Sequence, residues 1–363
     1  MDENMHAIDR GAAALVVDYM SVVKGETVLI TADTLTDTLA LATVFRAVRD
    51  AGAEPTIMTI AQVPFQGALA DPYVPSTLGA AVSQADVWID FTFPYLAGCH
   101  VFEQAMKDGR VRYLLGGDLG AGGIARLFGA VNMDEYYAVH EKLEQFISDS
   151  NGKTARITCP RGTDVSFNID KSHYLKPRRA LTPGTYLVPG ACTVFPAMAS
   201  VRGTICFTGI FHEYFAGVSD PLVIHVDGGI REVRGPTVHR VALDRALKRA
   251  GNGEYGNIIH FTCAIHPSAR QTGSSFIEDS RVMGCNAVGM GLPWWIPGGG
   301  ENHPDGVVSD QSMWIDGQKI ISDGTIVGPS GLAAIAHRLR PDVREPINQN
   351  TRVAAGSNDR LGA

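Results

Sequence analysis

Along the first 150 residues, short apolar, β-branched runs alternate with stretches whose apolar residues fall at helical spacing. Residues 26–31 read Glu-Thr-Val-Leu-Ile-Thr after Gly25, a strand pattern. Between Thr34 and Asp50, Leu35, Leu39, Ala42 and Phe45 recur three or four positions apart, and Ala51-Gly52 follows. That spacing predicts an amphipathic helix stopped by glycine. Further strands are predicted at 55–60, 86–90 and 112–115, and a helix at 133–148. Strands separated by helices need crossover connections, so residues 1–150 are expected to form an α/β domain around a mostly parallel sheet.

After Asn151-Gly152 the texture changes. Helical periodicity survives at 241–250, while β-type runs at 154–158, 203–207, 222–226 and 313–315 are separated by Gly and Pro. Residues 151–363 are therefore expected to form a second domain that is mostly β (α+β), the one in which the metal-ligand candidates named below also fall. No GxGxxG opens the first helix, so nothing in the sequence supports a dinucleotide site.

Composition narrows the function classes. The 363 residues suffice for two domains. The chain carries 31 Lys+Arg against 38 Asp+Glu, and no basic cluster offsets the net charge of −7, which argues against a nucleic-acid partner. Two long uncharged stretches, 181–201 and 282–300, are broken by Pro183, Pro189, Pro196, Pro293 and Pro297 and do not read as membrane helices. The acidic start Met1-Asp2-Glu3-Asn4 lacks the basic segment of a signal peptide. The six cysteines are scattered without a CxxC pair and read as reduced thiols. A soluble, cytoplasmic homo-oligomer is expected.

Of eleven histidines, five lie between His225 and His303. In His303-Pro304-Asp305 the period-two alternation of an extended segment sends both functional side chains to one face, which suits two neighbouring ligands on one metal. On its own the pair reads more simply as an exposed turn. His260 ends a strand-like run, six residues before His266, and either one alone reads as a core histidine. His212-Glu213 and His225-x-Asp227 are competing His/carboxylate pairs. Arg270, Glu278 and Asp279 read as polar residues that support the fold, and Trp294-Trp295 as an aromatic wall or plain core.

Taken together, these segments resemble the aminopeptidase T superfamily. The resemblance rests on His260-x6-Pro267-x-Ala269-Arg270-x2-Gly273, Ile277-Glu278-Asp279-x2-Val282-x-Gly284, Gly298-Gly-Gly300, His303-x-Asp305-Gly306-Val307, Ile315-Asp316-Gly317 and Asp323-Gly324. Gly162-Thr163-Asp164 matches a further element of that superfamily, and the α/β first half is similar as well, so most of the chain is covered. Its aminopeptidases hold two metals through several carboxylates and histidines. Here His260 stands where they carry a glutamate, the stretch Pro189-Gly-Ala-Cys192 has no carboxylate, and Cys285, Asn286 and Ala287 stand near the position of a ligating His.

What remains of the ligand set is His260, His303 and Asp305. Two imidazoles and one carboxylate on one face leave about three coordination positions open, the arrangement of non-haem Fe(II) oxygenases. The branch of the superfamily with the same Glu-to-His exchange is that of the 2,5-dihydroxypyridine 5,6-dioxygenases, and this chain resembles that branch. The resemblance implies a mononuclear Fe(2+) enzyme that opens a hydroxylated aromatic N-heterocycle with O₂ in nicotinate-type degradation. It also implies that His100, in His100-x-x-Glu103-Gln104, is the base for the substrate hydroxyl. His173 is the histidine near the segment where such enzymes carry pocket histidines. The rival reading is a zinc or cobalt aminopeptidase or amidohydrolase, with Glu301, Glu278, Asp279 or Glu213 as further carboxylates.

Overall fold

The computed structural model describes residues 3–171, 179–300 and 302–339. Five strands form an entirely parallel sheet in the order Glu54–Ile60, Thr27–Asp33, Val87–Phe91, Arg112–Leu115, Gly184–Leu187. Val87–Phe91 is buried along its whole length, as a strand covered on both faces should be. The helix that follows the first strand spans Thr38–Asp50, four residues later than Thr34. Asp33 explains the delay: its carboxylate accepts the Leu35 N–H at 2.7 Å and holds a turn, and Asp37 then caps the helix by accepting from Leu39. Met133–Ser148 is a helix as its periodicity predicts, capped by Asn132.

The second sheet has twelve strands and is antiparallel. At its centre the order is Arg202–Phe211, Asp305–Val308, Asn286–Gly291, Asn257–Ala264, Ala191–Val194. The run predicted to end at His260 continues to Ala264, which places His260 in mid-strand. Phe207, Phe211 and Phe261, on strands of this sheet, are fully buried.

The two sheets are joined by more than one chain passage. Gly184–Leu187, well beyond residue 150, returns to the first sheet and pairs in parallel with Arg112–Leu115. Across the same junction Arg126 forms an ion pair with the buried Glu278, and the Asp118 carboxylate accepts from Ser275 Oγ and from the Phe276 and Ile277 N–H groups. Burial raises the Asp118 carboxyl to about 6, against the pull of those donors. Among the described residues, no helix is long and apolar enough to cross a membrane.

Candidate metal centre

Three neighbouring antiparallel strands bring His260, Gly289 and Asp305 into one row: His260 pairs with Gly289, and Gly289 with Asp305. Directly paired residues of adjacent strands point to the same face. Gly289 has no side chain, so the His260 imidazole lies over it; a β-carbon there would stand well inside 3.0 Å of Nε2. A bulge between Ile258 and His260 sets the register. His303 enters from the segment just before Asp305–Val308.

The donor atoms converge. His260 Nε2 is 3.6 Å from Asp305 Oδ1, and His303 Nε2 is 3.7 Å from Asp305 Oδ2. One donor from each of the three residues lies within 4.8 Å of the other two, and all three are buried. The far nitrogens are anchored: His260 Nδ1 is 3.1 Å from Thr262 Oγ1, and His303 Nδ1 is 3.3 Å from the Gly300 carbonyl. Partners of this kind hold ligating imidazoles in the tautomer that offers Nε2. Gln66 Nε2 donates to the His303 carbonyl at 3.0 Å, and Trp294 stacks against the His303 ring. Burial pushes the Asp305 carboxyl up, while His303 and Arg281 pull it down. A carboxylate held out of water beside two imidazole nitrogens is a donor set that could hold a cation.

The cluster lies in the wall of a cavity of about 550 Å³ that extends beneath the junction of the two sheets. Tyr95, Phe195 and Phe276 supply aromatic walls, and Arg281 a buried guanidinium. Arg281 Nη1 donates to Ser280 Oγ at 2.6 Å and Nε to the Val188 carbonyl at 3.4 Å. Among the described residues no carboxylate stands within 4.0 Å of it, so a fixed positive charge lies near Asp305 without being spent on it.

A family model for 2,5-dihydroxypyridine 5,6-dioxygenase matches residues 13–328. The chain belongs to the 2,5-dihydroxypyridine 5,6-dioxygenase family. The structure of 2,5-dihydroxypyridine dioxygenase from Pseudomonas putida KT2440 is similar at a TM-score of 0.71 and 15% identity, covering 92% of this chain and 100% of that one. Wild-type AmpT from Thermus thermophilus is similar at 0.61 and 11% identity, covering 89% of this chain and 100% of that one. At such identities the likeness is one of fold. No curated protein matches the chain by sequence. Membership of the dioxygenase family supports an enzyme of the oxygenase class.

In this dioxygenase-family fold, His260, His303 and Asp305 come together as the sequence suggested, and the other candidates take separate places. His100 opens the helix His100–Asp108 with a side chain 55% exposed. Its Nδ1 is 3.1 Å from Asp71 Oδ1, and it lines a separate cavity of about 280 Å³ rather than the one containing the cluster. His266 lies beyond the strand that ends at Ala264 and is a core histidine, its Nε2 bonded to the Leu127 carbonyl in the interior. His212 is 2.6 Å from Glu213, which two arginines also hold, and His225 and Asp227 are taken by Thr204 and Arg202. Glu278 is held by Arg126, and Asp279 accepts from Thr272 and Gly273, so both support the fold. His173 and Glu301 lie outside the described residues. Gly289 and Arg281 were not legible as site residues: a glycine gives no chemical signal, and a lone arginine in a mixed segment reads as surface.

Proposed function

We propose that this protein is a mononuclear non-haem Fe(II) dioxygenase that opens a hydroxylated aromatic N-heterocycle such as 2,5-dihydroxypyridine. The observation that carries this reading is the buried cluster of two anchored imidazoles and one carboxylate. His260, His303 and Asp305 would hold the iron and leave positions open for small ligands. When bound, Fe(II) supplies the redox chemistry that unites O₂ with an electron-rich ring.

The remaining work falls to the chain. Phe195, Phe276 and Tyr95 give a flat ring apolar surface and keep water from it. Arg281 offers an ionised ring oxygen a fixed cation in a water-poor site, where such a contact is strongest. The proton of the ring hydroxyl must be accepted by a base, and family resemblance points to His100. For that role its side chain must leave Asp71 and enter the cavity.

The likeness to AmpT keeps a dinuclear hydrolase as the second reading. Against it, Glu213, Glu278 and Asp279 are held elsewhere and do not join the cluster. The deciding experiment is turnover of 2,5-dihydroxypyridine by anaerobically iron-loaded protein under ¹⁸O₂. Both labelled atoms are expected in the ring-opened product, and His260→Ala, His303→Ala and Asp305→Ala should each lose iron and turnover while circular dichroism is unchanged. Label entering solely from H₂¹⁸O, with zinc restoring the enzyme, would establish the hydrolase.

A further inference from the structure

A second group of donors sits beside the same cavity, apart from the His260–His303–Asp305 set. His140 and Glu144 stand one turn apart on the helix Met133–Ser148, so they share a face, and both line the cavity. Cys192 lies on the strand Ala191–Val194, between Ala191 and Thr193, which line it too. One donor atom from each of His140, Glu144 and Cys192 lies within 4.8 Å of the other two. His140 and Cys192 are buried, and the Glu144 side chain is 35% exposed.

The surroundings of His140 decide which nitrogen faces its neighbours. Nε2 is 2.7 Å from the Ala191 carbonyl, and a carbonyl accepts only, so Nε2 carries the hydrogen. In the neutral ring Nδ1 then presents a lone pair, 3.7 Å from Glu144 Oε1. A cation placed between these two atoms would be attracted by both. The three donor atoms converge closely enough for one metal ion to meet the nitrogen, the oxygen and the sulfur together. The bond from Nε2 to a backbone carbonyl is also the usual support of a ligating imidazole.

We infer that His140 Nδ1, the Glu144 carboxylate and Cys192 Sγ form a second site, for a zinc-like divalent cation. A mixed nitrogen, oxygen and sulfur set suits borderline-soft ions, whereas magnesium and calcium favour oxygen alone. Cys192 binds as thiolate and its proton leaves to solvent, so affinity rises with pH. Three protein donors leave a fourth position for water. The ion joins the helix to the strand that pairs with the His260 strand, through Thr193–Thr262 and Cys192–Cys263. It would thereby fix the spacing between one wall of the cavity and the ligand-bearing sheet.

Sulfur makes the site separable from the first one. The full-length, metal-free protein is titrated with Co(II), and the thiolate-to-cobalt charge-transfer band in the near ultraviolet is followed. The wild type should bind about two equivalents, one of which develops the band. Cys192→Ser should lose the band and one equivalent, while His303→Ala should lose the other equivalent and keep the band. A single bandless equivalent in the wild type overturns the inference, and so does a band that survives Cys192→Ser. If Cys192→Ser does not fold, Glu144→Ala, at a half-buried helix position, reports instead: the band should need at least about tenfold more cobalt, and an unchanged affinity overturns the site. None of these readouts depends on dioxygenase turnover.

Discussion

Gly289 and His260 face one another across two antiparallel strands, and the imidazole occupies the space a side chain at 289 would fill. The backbone of Gly289 is outside the left-handed region, so alanine there carries no conformational penalty of its own. Its β-carbon would meet Nε2, the atom pointed at Asp305. Gly289→Ala is therefore expected to weaken iron binding by about 10- to 100-fold with secondary structure retained. Metal content after dialysis against graded chelator, beside circular dichroism, checks this; full iron retention would show that His260 is not a ligand through Nε2.

Arg281 should act on substrate rather than on metal. Arg281→Met should keep the iron and lower kcat/KM by about 10- to 150-fold, the span of a charge-assisted hydrogen bond of about 1.5–3 kcal/mol. Arg281→Lys should recover part of that loss, since it restores the charge without the planar fork. Loss of iron in both variants would instead make Arg281 a support for Asp305.

The buried His266 gives stability a pH dependence. Burial lowers its pKa from 6.5 to about 4, with the Leu127 carbonyl opposing and Arg281 assisting. The folded state thus binds this proton later than the unfolded chain. The stability from the neutral ring is fully present above about pH 6.5 and is lost as pH falls toward about 4. The one-proton slope is about 1.4 kcal/mol per pH unit. Denaturant unfolding of the metal-free protein across this window should be shallower by up to that slope in His266→Gln, whose amide can still donate to Leu127. Identical slopes would assign the acid sensitivity elsewhere.

If His100 takes the substrate proton, His100→Ala should keep its iron and lose about 10²- to 10⁴-fold in kcat/KM. The loss should shrink at high pH, where the ring hydroxyl ionises unaided. Parallel pH profiles, or a loss below about threefold, would leave His100 as the residue that Asp71 holds at a helix start, and a cavity-lining group would have to serve as base.

Much of the architecture was legible because period and composition change together. The apolar runs at 55–60, 86–90 and 112–115 and the helical spacing at 133–148 stand within a residue or so of the observed elements. Edges failed where a side chain competes with the helix, as Asp33 does by holding Leu35 in a turn. The convergence of His260, His303 and Asp305 was visible through His303-x-Asp305 and the His260 exchange, since residue types suited to metal ligation leave a signature. His140, Glu144 and Cys192 were not, because a helix and a strand some fifty residues apart supply them and no spacing rule links the two. His100 shows the converse: a motif can mark a residue without saying whether it is already in place.

The strand Gly184–Leu187 has a consequence for how the molecule can be divided. Its four residues cover the edge of Arg112–Leu115, so the α/β half owes its outermost rung to chain that has already entered the other half. A fragment cut at residue 150 would expose the unpaired amides and carbonyls of a buried parallel strand, a template for self-association. The second half cut at the same point would carry a strand with nothing to pair against. Grafting either half onto another protein, or shuffling it between relatives, would have to carry residues 184–187 along with the first 150, as a split gene or a circular permutation and not as a simple truncation.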